Sequence, residues 1–352
     1  MGWDRDQARN VKAQARDLVA ELLADRDVAN AQALGGAPIG DAPGIATVGV
    51  ALGLAPVGDG SFELAVRYRA DTAEAQMIAQ RLTQDVGPGA DVRQIGHVLP
   101  LGSDGGSFAR VQPAAQAQGV TDRVRPLVPG VSVAHVDVTA GTLGAFAVIG
   151  EQVGVLSNHH VLVGDDGAVG DAIVQPGPLD GGSAPNDQIG TLSEFVELAS
   201  SGSNPVDAAF AVLEDVEFTT GYPGGELSGL VAVEGGERVQ KSGRTTGVTD
   251  GMVTAIELDG LLVDFGPQGT LQFDGQIEVE STGSGPFSDG GDSGSLVYQS
   301  SDMAAVGLLF AGGPRGGSNG LGLTYLNPID VVLSQLGAQL LADDGASRLG
   351  GA

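Results

Sequence analysis

Gly291-Asp292-Ser293-Gly294-Ser295-Leu296-Val297-Tyr298 reads as a tight polar turn running straight into a short apolar strand. A nucleophilic serine needs an exposed hydroxyl and backbone N–H groups aimed at a developing oxyanion. Glycines on both sides permit the tight turn and the close approach of a carbonyl. Gly, Asp and Ser also build plain turns, so the pentapeptide alone leaves both readings open.

The texture around it sets the fold class. From Arg125-Pro126-Leu127-Val128-Pro129-Gly130 to about Pro328 the chain is a series of short β-type runs separated by Gly, Asp and Asn turns. The runs lie at 144–149, 154–156, 208–212, 251–256, 261–265, 277–280, 295–298 and 306–310. So many short strands with hardly any helix predict a mainly β domain, a barrel or a sandwich. A closing amphipathic helix is predicted over 328–342, burying Ile329, Val332, Leu333, Leu336 and Leu340 on one side.

The first part of the chain differs. Residues 4–29 predict a helix, because Val11, Ala15, Leu18 and Leu22 recur at spacings of four, three and four. It reads as a helix packed on its own chain, with self-association through its weak apolar stripe as the alternative. A Gly/Pro/Ala linker covers 35–44. Strands are then predicted at 45–54 and 62–69, where Phe62, Leu64, Val66 and Tyr68 alternate with polar or small residues. A helical segment at 72–85 and a strand at 91–98 complete a small α/β module. The low-information stretch 102–119 leads into the β region. The division expected is an N-terminal helix (1–34), a small α/β domain with linker (35–119) and a β domain (120–345).

Composition removes several function classes. The chain has no cysteine, so no disulfide supports it and no thiolate serves as nucleophile. Four histidines, His97, His135, His159 and His160, give little material for a zinc site, so no metal and no cofactor are expected. Acidic residues outnumber basic ones 44 to 17, for a formal charge of -27, which disfavours nucleic-acid or anionic-membrane binding. Lys12 and Lys241 are the only lysines. No signal-peptide-like or membrane-spanning apolar run is visible, which gives a cytoplasmic protein as the expectation.

Two further segments supply what an active serine needs. Val155-Leu156-Ser157-Asn158-His159-His160-Val161 places histidines where a strand would enter a loop, and imidazole is the side chain that titrates near working pH. Which of the adjacent pair is the base stays open on these residues. Pro205-Val206-Asp207-Ala208-Ala209-Phe210-Ala211-Val212 puts Asp207 just before an apolar strand, placed to orient an imidazole. An aspartate there is also an ordinary turn residue; the order His, Asp, Ser along the chain is what raises it.

These three segments resemble the triad motifs of trypsin-like serine peptidases. The histidine segment is similar to the Thr-Asn-Asn-His-Val form of bacterial members, and that alignment selects His160. More narrowly, the chain resembles bacterial and archaeal peptidases related to the plant Narrow Leaf protein. That resemblance runs through Arg125-Pro126, Pro129-Gly130-Val131-Ser132, Gly141-Thr142-Leu143-Gly144, Gln175-Pro176-Gly177 and Asp180-Gly181-Gly182. It continues through Val239-Gln240-Lys241-Ser242-Gly243-Arg244-Thr245-Thr246-Gly247 and Gly307-Leu308-Leu309-Phe310-Ala311-Gly312.

The resemblance implies a chymotrypsin-like double β-barrel, preceded here by the small α/β domain and the N-terminal helix. It implies a serine endopeptidase with His160, Asp207 and Ser293 as catalytic residues, and an oxyanion hole from the backbone N–H groups of Gly291 and Ser293. The substrate would be a protein or peptide, and the resemblance leaves room for a homo-oligomer. Phe287, Phe310, Ala311 and Gly312 would line the substrate pocket, with a small or medium apolar side chain as its guest. Val161 stands where animal trypsins carry a cysteine. A whole domain precedes the barrels, so Asp292 must find a partner other than a freshly cut N-terminus, and the sequence names none. The stretch Lys241–Gly247 lacks the Gly-Lys-Ser/Thr ending of a phosphate loop and reads as a structural turn. A catalytically latent scaffold and an esterase on the same triad are the competing readings.

Overall fold

The computed structural model describes residues 2–33, 48–69, 71–101 and 120–341. The linker expected at 35–44 and the stretch 102–119 lie outside the described residues, as does the start of the strand expected from 45.

The N-terminal portion contains α1 (Arg5–Ala33), β1 (Val50–Gly58), β2 (Ser61–Arg69), α2 (Ala73–Val86), β3 (Ala90–Ile95) and β4 (Leu99–Pro100). Thr72 starts α2, its Oγ1 accepting from Ala75 N at 3.1 Å, and Gly87 ends it at a φ of 67°. Strand β2 shows why the alternating pattern was legible yet incomplete. Leu64 and Val66 face α1 and α2, in a core with Val19, Leu23, Ile78 and Leu82. Ala65 and Arg67 on the opposite face are buried as well, because that face packs on a second layer.

The second layer belongs to the β region. Its first half holds β5 (Ser132–His135), β6 (Gly141–Thr142), β7 (Ala145–Ile149), β8 (Gln152–Ser157), the short helix α3 (His159–Leu162), β9 (Ala172–Val174), β10 (Gln188–Phe195), β11 (Ser203–Asn204) and β12 (Ala209–Leu213). Its second half runs through β13 (Gly229–Leu230), β14 (Arg238–Gly243), β15 (Gly247–Asp259), β16 (Leu261–Asp264), β17 (Thr270–Phe273), β18 (Gln276–Ser281), β19 (Leu296–Gln299), β20 (Ala304–Gly313) and β21 (Leu323–Pro328). Helix α4 (Ile329–Leu336) and β22 (Gln339–Leu340) close the described chain.

Strands β14, β19, β20, β21, β18 and β15 pair in that order, and β15 returns to β14, so this barrel is closed by six strands. The first-half strands pair in the order β22-β7-β8-β12-β10-β9-β5-β6 and curl around their own core of Val133, Phe146, Val155, Ile173 and Leu192. A separate core fills the closed barrel, with Val239, Val253, Val279, Phe287 and Val297. The mainly β, double-barrel expectation therefore holds.

Two features differ from the sequence reading. The closing helix stops at Leu336, because Gly337 takes a left-handed conformation (φ 64°); Leu340 instead pairs with Ala147 on the edge of the first sheet. The N-terminal strands also continue the barrel's sheet. Leu52 and Leu54 of β1 pair with Asp259 and Ile256 of β15. Fully buried Arg67 reaches fully buried Glu278 of β18 at 2.7 Å.

Candidate active site

Asp207 sits at the point where the chain enters β12, fully buried. Its backbone is held from both sides: its N–H donates to Asn327 Oδ1 at 3.0 Å, and its carbonyl accepts from Asn158 Nδ2 at 2.7 Å. Its carboxylate accepts from His160 N at 3.2 Å and bonds His160 Nδ1 at 2.5 Å. A carboxylate can only accept, so the proton lies on Nδ1 and the Nε2 lone pair is left free. That Nε2 is buried and has no hydrogen-bond partner. Phe265 meets the imidazole edge-on, ring centres 6.0 Å apart.

The geometry also separates the two histidines. His159 turns to the other side and packs edge-on against Phe195 at 5.4 Å. Burial pulls its imidazole below the ordinary value, opposed by the charge of Asp207 and reinforced by His160.

The Ser293 turn lies on the closed barrel, between β18 and β19. Gly291 and Gly294 have φ of 96° and 91°, open to glycine. A Cβ on Gly294 would collide with Ser157 Oγ and Thr142 O, and one on Gly291 with Thr245 Oγ1. The first sheet clamps this turn: Thr142 N donates to Ser293 O at 2.7 Å and Thr142 Oγ1 to Gly291 O at 2.9 Å. The structure thus brings His160 and Asp207 together on the first sheet, and the Ser293 turn of the closed barrel is hydrogen-bonded to that sheet at Thr142.

Sequence reasoning left Asp292 without a partner, and the structure supplies one. Lys241 Nζ lies 3.3 Å from Asp292 Oδ2, both side chains fully buried. The same carboxylate accepts from Thr245 N (2.8 Å), Thr246 N (3.1 Å), Thr246 Oγ1 (2.7 Å) and Asp289 N (3.0 Å). Burial pulls the Lys241 ammonium down and Asp292 works against it. The stretch read as a structural turn is therefore the socket of the residue beside the nucleophile. Its only signal in the sequence was that Lys241 is one of two lysines in the chain.

The two N–H groups expected to form an oxyanion hole converge on one oxygen. Gly291 N donates to Leu101 O at 2.5 Å and Ser293 N to the same oxygen at 3.4 Å. Ser293 Oγ donates to Phe310 O at 3.2 Å. Strand β4 lies antiparallel to β20, Pro100 opposite Ala311 and Leu99 opposite Gly312. Leu101 shares an apolar core with Phe287, and a Cβ on Gly312 would meet its Cδ1 at 3.1 Å. The four residues expected to line a pocket thus surround or pair with the segment ending at Leu101. No group of three or more His, Asp or Glu able to hold a metal occurs among the described residues.

No family model matches the chain, and no curated protein does. Among solved structures it is similar to Thermobifida fusca protease A, 22% identical with a TM-score of 0.44, over 61% of this chain and 98% of that one. It is similar to Cellulomonas bogoriensis chymotrypsin, 21% identical with a TM-score of 0.42, over 61% and 97%. It is also similar to Nocardiopsis protease, 23% identical with a TM-score of 0.43, over 60% and 97%. The narrower resemblance to the Narrow Leaf group rests on the sequence motifs alone. With one sheet closed into a six-strand barrel and the other curled around its own core, this chain has a chymotrypsin-like double-barrel fold.

Proposed function

We propose that the chain is a serine endopeptidase acting through His160, Asp207 and Ser293. The observation that carries this reading is the convergence of the Gly291 and Ser293 N–H groups on a single carbonyl oxygen. Donors so aimed stabilise the oxyanion of acyl transfer, and removing one such donor typically costs about 100- to 1,000-fold in rate.

A turn about its Cα–Cβ bond carries Ser293 Oγ from Phe310 O toward His160 Nε2. His160 then takes the hydroxyl proton as Oγ attacks a peptide carbonyl, while Asp207 holds Nδ1–H and stabilises the imidazolium. The same imidazolium protonates the departing amine, and water releases the acyl-enzyme by the reverse sequence.

The bond from Ser293 Oγ to Phe310 O favours a second reading, a latent protease-fold scaffold. Fluorophosphonate labelling followed by peptide mapping separates the two. Stoichiometric labelling at Ser293, lost in Ser293→Ala, supports the enzyme. A folded chain that stays unlabelled even when the Leu101 segment is displaced supports the scaffold. Paired amide and ester substrates then distinguish a peptidase from an esterase.

A further inference from the structure

The peptide that carries the Gly291 N–H joins two glycines, Gly290 and Gly291. With no Cβ on either residue its plane turns easily, and half a turn would point the Gly290 carbonyl where the N–H now points. A carbonyl there would repel an oxyanion rather than stabilise it. The plane is held from its carbonyl end. Thr245 Oγ1 donates to Gly290 O at 2.6 Å, and Arg244 Nη1 donates to Thr245 Oγ1 at 3.1 Å. A guanidinium can only donate and a hydroxyl has one proton, so the contact from Arg244 commits that proton to Gly290 O.

The next peptide is held in the same way. Arg244 N donates to Thr142 Oγ1 at 3.0 Å, and Thr142 Oγ1 in turn donates to Gly291 O at 2.9 Å. One residue therefore orients two hydroxyls, and these fix two consecutive carbonyls of the nucleophile's turn. Arg244 itself is anchored on the other half of the β region. Its Nε donates to Asp180 Oδ2 at 2.8 Å and its Nη2 to Asp180 Oδ1, a two-point grip that sets the guanidinium plane. The Arg244 and Asp180 side chains are 11% and 9% exposed, so solvent screens the pair little. Asp180 lies in the connection from β9 to β10, and Arg244 in the turn from β14 to β15. A Cβ on Gly291 would stand 2.4 Å from Thr245 Oγ1 and 3.0 Å from Arg244 Nη1, so both side chains pack directly on the turn. An ion pair present only to join two sheets needs the Asp180 contact. It does not need Arg244 to reach both hydroxyls that hold the turn.

We infer that Arg244, gripped by Asp180, is the positioning residue of the oxyanion hole and acts through the Thr245 hydroxyl. The inference rests on the proposed peptidase reading. Arg244 takes no part in bond making; it keeps the Gly291 N–H aimed before a substrate arrives, so the donor costs no reorganisation at the moment of reaction.

Fluorophosphonate labelling of the full chain at rising probe concentration separates binding of the probe from the rate of the bond-forming step. Thr245→Val keeps the shape of the side chain and removes its hydroxyl. Its labelling rate at saturation is expected to fall about 100-fold, the scale of one lost oxyanion donor, with half-saturation little changed and the fold intact by circular dichroism. Thr245→Ser keeps the hydroxyl and should restore most of the rate. Arg244→Met and Asp180→Asn leave the hydroxyl but free its direction, so each should lose about 10- to 100-fold. Arg244→Met added to Thr245→Val should cost little beyond Thr245→Val alone, because the two residues act as one unit. If the Met and Asn variants do not fold, Arg244→Lys carries the test with the same expected loss, since it keeps the charge without the two-point grip.

A wild-type labelling rate in folded Thr245→Val overturns the inference and leaves the peptidase standing. So do losses that multiply in the double variant, since Arg244 would then act apart from Thr245. A loss confined to half-saturation places these residues in binding and overturns it as well. No labelling of any folded protein, wild type included, overturns the peptidase reading and this inference with it.

Discussion

Lys241 Nζ stands 3.3 Å from the Asp292 carboxylate, and neither side chain touches solvent. Asp292 lies between Gly291 and Ser293, so its four N–H and O–H contacts fix the path of the backbone on either side of it. An internal lysine therefore supplies the positive charge that keeps this turn in shape, and no cut N-terminus is needed for it.

Lys241→Met should accordingly cost about 3–5 kcal/mol of stability, since it strands a buried carboxylate. Asp292→Asn added to it should restore part of that stability. Urea unfolding measures both, and fluorophosphonate labelling of the folded Lys241→Met protein should be slower than wild type. A variant as stable and as reactive as wild type would remove the pair from the account.

Asp207→Asn keeps the shape of the carboxylate but no longer demands the proton on Nδ1 of His160. Turnover of a peptide substrate should fall by about four orders of magnitude, with KM little changed. Circular dichroism should show the fold intact. A loss confined to KM would mean that Asp207 shapes binding rather than the base.

Gly312 leaves room for the leucine side chain, and a Cβ there would stand 3.1 Å from Leu101 Cδ1. Gly312→Ala should lower kcat/KM for a Val-Leu-Pro-Leu anilide about 10- to 200-fold, the scale of a methylene-sized change in an apolar pocket. The alanine-ended analogue should suffer less. Equal losses on both substrates would show a general distortion of β20.

His159 gives a pH signature distinct from that of the active site. A histidine in an unfolded chain titrates near about 6.5, and burial holds the folded value below this. In the window beneath about 6.5 the unfolded chain binds more protons, so stability falls as pH falls. The contribution is complete above that window and is lost as pH drops toward the folded value. Urea midpoints at about pH 7.5 and 5.5 should drop further for wild type than for His159→Gln. Equal drops would assign the acid sensitivity to other groups.

The candidate triad was legible because each member lies in a short local signature. A strand end carries His160, a strand start carries Asp207, and a glycine-flanked turn carries Ser293. What escaped reading is set by distant pairing. Lys241 looked like one residue of a turn because its partner is far along the chain and only the fold of β14 against the Ser293 turn unites them. Leu99–Leu101 fell between the strand expected at 91–98 and the low-information stretch, since its partner strand β20 lies about two hundred residues away. The predicted helix ran too far because Leu340 continues its apolar spacing past Gly337, where the backbone leaves the helical region. Arg67 fell among the polar or small residues alternating with Phe62, Leu64, Val66 and Tyr68, and only the second layer reveals it as buried.

The sheet shared by β1 and β15 bears on how this protein can be divided. A chain beginning at residue 120 would lose the partner of Ile256–Asp259 and bare a row of unpaired N–H and C=O groups there. It would also take the Arg67 guanidinium away from the buried Glu278 side chain. Open strand edges of this kind recruit other chains, so the barrels expressed alone should gather into aggregates, whereas co-expressing residues 1–101 in trans should keep them dispersed.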